Sequence, residues 1–139
     1  MMRRNIIRLG FLVVLALSLA GFAQAQKTSA YKVHIPFDFK VGGKSFEAGD
    51  YAVTFGGVAG SRERLIIQSE KGKNSAMLVV SPSEKIEDSA KSALVFNVYE
   101  NLYFLAGIET PQTSAEILKS KKEIRLAKNA KRVEVALKK

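Results

Sequence analysis

Hydrophobic and polar residues alternate in short segments along most of this chain, and this pattern limits the fold more than any other feature. The segment Tyr31–Ile35 (YKVHI) is the first example, and similar segments recur as far as Glu109. A period of two residues is typical of strands that bury one face. The predicted strands are Tyr31–Ile35, Phe37–Val41, Lys44–Ala48, Tyr51–Phe55, Arg64–Ser69, Ser75–Val80, Ala93–Tyr99 and Tyr103–Glu109.

Turn residues separate these segments at intervals of about 8–12 residues, and no long helical pattern lies between them. We therefore predict an all-β fold, an antiparallel β-sandwich or barrel of about seven to eight strands with one C-terminal helix. The turn Gly42-Gly43 also predicts a register, because a two-residue loop pairs the residues on either side of it. Phe39 should lie opposite Phe46, and Val41 opposite Lys44.

Residues 1–25 have the three parts of a secretory signal peptide. Arg3, Arg4 and Arg8 are basic, Leu9–Phe22 is almost wholly apolar, and Ala23-Gln24-Ala25 is a small-residue cleavage site. The alternative is a membrane anchor, but an apolar segment of this length spans only ~21 Å of a hydrocarbon core that is ~30 Å thick. We predict cleavage near Ala25 and export to the periplasm or outside the cell.

The composition excludes several classes of site. The chain has no cysteine and one histidine, which excludes disulfide scaffolds, thiolate metal sites, cysteine nucleophiles and multi-histidine metal centres. The sequence has no G-x-S-x-G nucleophile elbow that His34 could assist as a general base. Asp38, Glu47 and Asp50 could bind calcium or hydrolyse glycosides, but their spacing matches no calcium loop, and tryptophan, which often stacks on sugars, is absent. We expect no enzyme activity, no metal site and no cofactor.

The charge divides the chain into domains more clearly than the hydropathy does. The formal net charge is +9, yet residues 26–118 hold ten basic and eleven acidic residues, and residues 119–139 hold nine basic and two acidic residues. We predict a near-neutral β domain over 26–118 and a basic tail over 119–139. Ser120 and Glu123 form a capping box for a helix from Lys121 to about Lys131. A short strand, Val133–Leu137, should follow.

The basic tail is the strongest functional signal in the chain. Six residues are candidates for contact with an anionic surface: Lys121, Lys122, Arg125, Lys128, Lys131 and Arg132. Such a surface could be lipid headgroups, envelope polysaccharide or extracellular nucleic acid. No aromatic residue follows Phe104, so we do not expect sequence-specific nucleic-acid binding. The alternative is a solvated helix that keeps an exported protein soluble.

The segment IPFDFKVGGKSFEAGDYAV, Ile35 to Val53, resembles a pattern found in a family of small exported bacterial proteins of uncharacterised function. Members carry a signal peptide followed by an I-P-F-x-F-x-V-G-x-K segment and then A-G-x-Y-x-V. The hairpin ALVFNVYENLYFLAGIE and the basic segment LKSKKEIRLAK are similar to other parts of that pattern. The resemblance implies an exported protein and brings no activity with it.

Together these features predict an exported, non-enzymatic module with a structural or interaction role. Its partner would be an anionic envelope surface or another protein. The alternative is a barrel that binds a small apolar ligand among its aromatic rings. The rings that would form this site are Phe37, Phe39, Phe55, Phe96 and Phe104.

Overall fold

A computed structural model describes residues 27–57, 62–83, 90–126 and 130–139, so the predicted signal peptide lies outside the described residues. The described part is all-β with one short C-terminal helix, as predicted, and has more strands than expected. The strands are β1 (Lys27–Ile35), β2 (Phe39–Val41), β3 (Lys44–Phe46), β4 (Gly49–Gly57), β5 (Arg64–Ser69), β6 (Ser75–Ser83), β7 (Ala93–Tyr99), β8 (Leu102–Glu109), β9 (Ser114–Ile117) and β10 (Lys131–Ala136), and the helix is α1 (Lys121–Leu126).

The strands form one sheet that folds round on itself. Hydrogen bonds connect them in the order β1-β4-β5-β6-β9-β8-β7-β10. The chain beyond β10 then returns to β1, where the amide of Lys32 donates to the carbonyl of Lys138 at 2.7 Å and the amide of Lys138 donates back at 2.8 Å. The sheet is therefore a closed ring, the barrel form of the two predicted architectures. The pairing is antiparallel throughout this ring.

Hairpin β2–β3 closes one end of the ring. Strand β2 pairs in parallel with the first residues of β8. Farther along β8, the same edge pairs with β9. The predicted register is confirmed: Phe39 lies opposite Phe46 and Val41 opposite Lys44. Gly42 and Gly43 both have positive φ, 54° and 86°, which glycine adopts without the steric cost that a Cβ brings.

The interior of the ring is packed with apolar side chains from nearly every strand. Phe39 contributes most to its aromatic part, stacking on Phe46 with ring centroids 5.3 Å apart and meeting Tyr51 and Phe96 edge-on. The fully buried members, 0% exposed, are Ile35, Leu65, Ile67, Leu94, Phe96 and Ile108. This burial is what the alternating pattern predicts, since every second residue of a strand faces the same side.

Strands β7 and β8 bury side chains on their outer face as well. Val95, Tyr99 and Phe104 are buried but do not belong to the interior cluster, and the Tyr99 and Phe104 rings meet edge-on at 5.7 Å. The register between the two strands shifts at Val95/Phe96, which leaves Ala106 as the extra residue of a bulge.

The tail differs from its prediction. Lys131 and Arg132 belong to strand β10, where they pair with Val98 and Asn97, so the predicted helix through Lys131 was wrong at that end. Tertiary pairing with β7 outweighs the helix propensity of lysine and arginine, which is a small energy per residue. Within the described ranges, no helix has the length and hydropathy needed to cross a bilayer.

Candidate functional site

Helix α1 begins directly after Ser120, and half of the predicted capping box forms. The amide of Glu123 donates to Ser120 Oγ at 3.3 Å, and the amide of Ile124 donates to the Ser120 carbonyl at 2.9 Å. The Glu123 side chain does not return to the Ser120 amide, the other half of a capping box. It turns inward instead.

Glu123 fixes the rotation of α1 about its axis. Its side chain is the buried residue of the helix, 4% exposed. Glu123 Oε1 accepts hydrogen bonds from Asn97 Nδ2 at 3.1 Å and from the Tyr99 hydroxyl at 3.2 Å. Both donors stand on the outer face of β7. A buried carboxylate needs such donors to offset its loss of hydration, and here they hold the acidic side of the helix against the sheet.

Two apolar residues face water here, one within α1 and one just before its cap, while Leu126 is half-buried. Leu118 is 83% exposed and Ile124 is 60% exposed, although an amphipathic helix normally turns such residues toward the core. We name the exposed residues of 118–125 the cationic face: Leu118, Lys119, Lys121, Lys122, Ile124 and Arg125. The acid of this segment is Glu123, which is buried, so the cationic face presents four positive charges and two aliphatic side chains.

The structure does not bring the six predicted residues onto one surface. Lys121, Lys122 and Arg125 are exposed on α1, and their side chains have no ion pair or hydrogen bond with another described residue. Lys131 is exposed on β10, where it faces the opposite side of the sheet from Arg132, because side chains alternate along a strand. Lys128 lies outside the described residues.

Arg132, unlike the cations of α1, already forms ion pairs with other described residues. Its Nη2 atom bonds to Oε1 of Glu109, and its Nε atom lies 3.8 Å from Oε1 of Glu134. Glu109 is a buried acid, so Arg132 compensates a charge that would otherwise stand unpaired in a poorly hydrated site. This cation has a structural role.

A cleft of about 200 Å³ lies between the outer face of the sheet and the segment that leads into α1. Lys119 and Arg132 line it together with two acids, Glu109 and Glu116. Ser83 Oγ donates to Ser114 Oγ at 3.1 Å along its wall. Because the acids balance the cations, this cleft is a poor anion site. Lys119 belongs to both surfaces, while the other cations of the cationic face, Lys121, Lys122 and Arg125, do not line the cleft.

The hydrogen bond from Tyr99 to Glu123 should make the stability of the protein depend on pH. Burial raises the pKa of the Tyr99 hydroxyl above its ordinary value of 10.0, and the Glu123 carboxylate raises this pKa further. An unfolded chain ionises near that ordinary value while the folded protein keeps the proton, so folding is favoured fully at lower pH. The free energy of unfolding should therefore fall as the pH rises from about 10 through the folded pKa.

Urea unfolding followed by circular dichroism between about pH 8 and pH 11 measures this slope. Tyr99→Phe should flatten it. The matched control is Tyr103→Phe, since the Tyr103 hydroxyl has no hydrogen bond with a described residue. An unchanged slope in Tyr99→Phe would contradict the buried Tyr99–Glu123 contact. Burial and the nearby Glu47 and Asp38 carboxylates also raise the pKa of Tyr51, so part of the slope should persist.

Two of the acidic candidates, Asp38 and Asp50, have separate hydrogen-bond partners. Asp38 Oδ1 accepts the Ala48 amide at 2.8 Å, and Asp50 Oδ1 lies 2.7 Å from His34 Nδ1 on the exposed side of β1 and β4. His34 is thus a solvent-facing, hydrogen-bonded residue. In the described parts of the chain, no group of three or more His, Cys, Asp or Glu side chains is placed to hold a metal ion.

The aromatic candidates do not surround a common space. Phe37 and Phe39 both pack edge-on against Phe96, at 5.1 Å and 5.5 Å. Phe55 has no ring contact with these three, and Phe104 lies outside the interior cluster. Aliphatic side chains such as Leu65 and Ile108 share the interior with these rings.

Sequence reasoning missed Leu118, Lys119 and the inward turn of Glu123. The signal for Lys119 was its position one residue before the cap, within the basic tail. Nothing local signals the rotation of the helix, because its determinants, Asn97 and Tyr99, stand on β7. Comparisons with protein-family models, with curated proteins and with solved structures found no match to this chain.

Proposed function

We propose that this protein is an exported, non-enzymatic interaction module that attaches to an anionic lipid surface of the cell envelope through the cationic face. The observation that carries the proposal is the inverted helix. Its acid is buried, while Ile124 and, just before the cap, Leu118 stand exposed among cations that form no ion pair with a described residue. A helix serving only solubility has no reason to expose these aliphatic side chains and to bury its carboxylate.

Lipid fits this chemistry better than a purely polar anionic polymer does. Lysine and arginine beside an anionic leaflet contribute about 1 kcal/mol each, so four cations supply roughly 4 kcal/mol at low salt. Burying an exposed leucine or isoleucine fully adds about 1.5–3 kcal/mol per side chain, and a bilayer offers an apolar interior for this purpose. A polysaccharide would use the charges and leave Leu118 and Ile124 in water.

Vesicle co-sedimentation tests the proposal. The protein should bind vesicles that contain phosphatidylglycerol, should bind pure phosphatidylcholine weakly, and should dissociate as salt screens the charges. The triple variant Lys121→Gln, Lys122→Gln, Arg125→Gln should bind about 100-fold more weakly, the equivalent of three cations at about 1 kcal/mol each.

The matched control removes three exposed lysines elsewhere, Lys44→Gln, Lys71→Gln and Lys73→Gln. This control should retain most of the affinity even though its net charge falls by the same amount. Equal losses in the two triple variants would show that net charge alone drives binding and would refute a specific face. The pair Leu118→Ser and Ile124→Ser should weaken binding to vesicles and leave binding to a soluble polyanion such as heparin unchanged.

A further inference from the structure

A cavity of about 400 Å³ lies at the end of the ring opposite hairpin β2–β3. Ser29 and Tyr31 line it from the start of β1, and Phe55 lines it from the end of β4. Hairpin β2–β3 follows the end of β1 and precedes β4, so the cavity and the hairpin occupy opposite ends. Thr110, Gln112 and Thr113, in the connection from β8 to β9, line the far side of the cavity. The cavity therefore spans the mouth of the barrel, a common position for ligand sites.

The half-buried Glu63 brings a carboxyl oxygen without a hydrogen-bond partner to this mouth. It lines the cavity, and its Oε2 atom is buried with no hydrogen-bond partner. Its backbone is held in place, because the Glu63 carbonyl accepts the Val80 amide at 3.1 Å. Gly57 passes close beneath, where a Cβ would lie 3.3 Å from the Glu63 Cα. Burying a polar atom without a partner is unfavourable, and more so for a charged group, so the side chain would gain by turning this oxygen toward a donor in the cavity.

Tyr31 and Phe55 supply an apolar wall beside this carboxylate. Both rings are buried within the protein apart from a small exposed part. Neither ring has a contact with another described aromatic ring, and the Tyr31 hydroxyl has no hydrogen bond with a described residue. The terminal torsion of a glutamate side chain is broad, so either carboxylate oxygen can turn toward the space that these rings border.

We propose that the mouth of the barrel binds a small primary ammonium ion with an apolar body. The ammonium would donate hydrogen bonds to Glu63, and the apolar body would lie against Tyr31 and Phe55. An ionised carboxylate only accepts hydrogen bonds, and bonds from a charged donor are roughly twice as strong as neutral ones. The other charged side chain of the cavity is Lys139, which is exposed. Water screens the charge of this exposed lysine more than that of the partly buried Glu63, so the carboxylate is the group that a ligand inside the cavity would meet.

A divalent metal ion fits this mouth less well than an ammonium ion does. Calcium takes six to eight oxygen ligands, commonly from several carboxylates, and Glu63 is the acid among the residues that line the cavity. The ammonium site is independent of the proposed attachment to lipid, since none of its residues belongs to the cationic face. The failure of one proposal would leave the other standing.

Titration with n-pentylammonium chloride, followed by nuclear magnetic resonance of the tyrosine and phenylalanine rings, tests the site. The amine should shift the Tyr31 and Phe55 resonances saturably and raise the melting temperature of the protein. Sodium chloride at the same concentration and n-pentanol should do neither. Glu63→Gln should weaken binding by about tenfold or more, since it removes a charge-assisted bond.

Glu70→Gln is the matched control, because Glu70 lies near Lys32 on another part of the surface, and it should bind like the unaltered protein. Equal binding of n-pentanol, full affinity in Glu63→Gln or no saturable shift would each overturn the proposal. The same ring shifts with calcium chloride would also overturn it and would indicate a metal site. The comparison of pentylammonium with pentanol uses the unaltered protein, so the test holds even if Glu63→Gln does not fold.

Discussion

Replacing Phe39 by alanine is expected to lower the free energy of unfolding by about 3–5 kcal/mol. The ring is 2% exposed, stacks on Phe46 and meets Tyr51 and Phe96. The substitution would leave a cavity between hairpin β2–β3 and the interior of the ring, and the neighbours are held by backbone pairing, so they can fill it only in part. Because domains of this size are stable by about 5–15 kcal/mol, this loss would be a large share of the total.

Urea denaturation of the two proteins measures the difference in midpoint and slope. Lys40→Ala is the matched control on the same strand, since its partly exposed side chain reaches Ser45 Oγ at 3.1 Å and no buried group. It should change stability by less than about 0.5 kcal/mol. A midpoint for Phe39→Ala that equals the midpoint of this control would mean that the hairpin does not close the ring.

Replacing Gly107 by alanine is expected to cost about 3 kcal/mol or more, an effect larger than a methyl group usually has in a packed site. A Cβ at this position would lie 2.3 Å from the Ala115 carbonyl oxygen. That oxygen belongs to the backbone of β9, so no side chain can rotate away to make room. Strands β8 and β9 would have to separate at the residues where Gly107 pairs with Glu116.

Gly57→Ala is the comparison variant for this prediction, because it should destabilise the protein less. A Cβ at Gly57 would have its nearest neighbours at 3.3 Å, so a shift of a few tenths of an ångström relieves the contact. Thermal or urea unfolding should rank the chains as unaltered protein, Gly57→Ala and Gly107→Ala in decreasing stability. A Gly107→Ala protein as stable as Gly57→Ala would show that β8 and β9 lie farther apart than the structure has them.

Local patterns were enough to predict the hairpin and the interior. Two adjacent glycines that can both take positive φ specify the pairing of Phe39 with Phe46 without any information from the rest of the chain. The alternation in Tyr31–Ile35 and Arg64–Ser69 identifies the buried side of β1 and β5 for the same reason. Each of these features depends on residues within a few positions of one another.

The remaining features depend on distant parts of the chain. Strand β9, Ser114–Ile117, is short and has no clear alternation, and it forms because β6 and β8 both offer it an edge. The run of β7, ALVFNVY, is apolar except for Asn97, which was a sign that both faces of this strand are covered. The run alone does not show which element covers the outer face. The candidate site follows from that cover, since Asn97 and Tyr99 on β7 decide which side of α1 meets solvent.

The two backbone hydrogen bonds between Lys32 and Lys138 affect the order in which the protein folds. These residues stand near opposite ends of the described chain, so their contact closes a very long loop and cannot form until everything between them has been synthesised. Contacts of such separation slow folding. A nascent polypeptide of this topology stays incompletely assembled while it is being made, which is the condition that the proposed export through a narrow translocation pore would require.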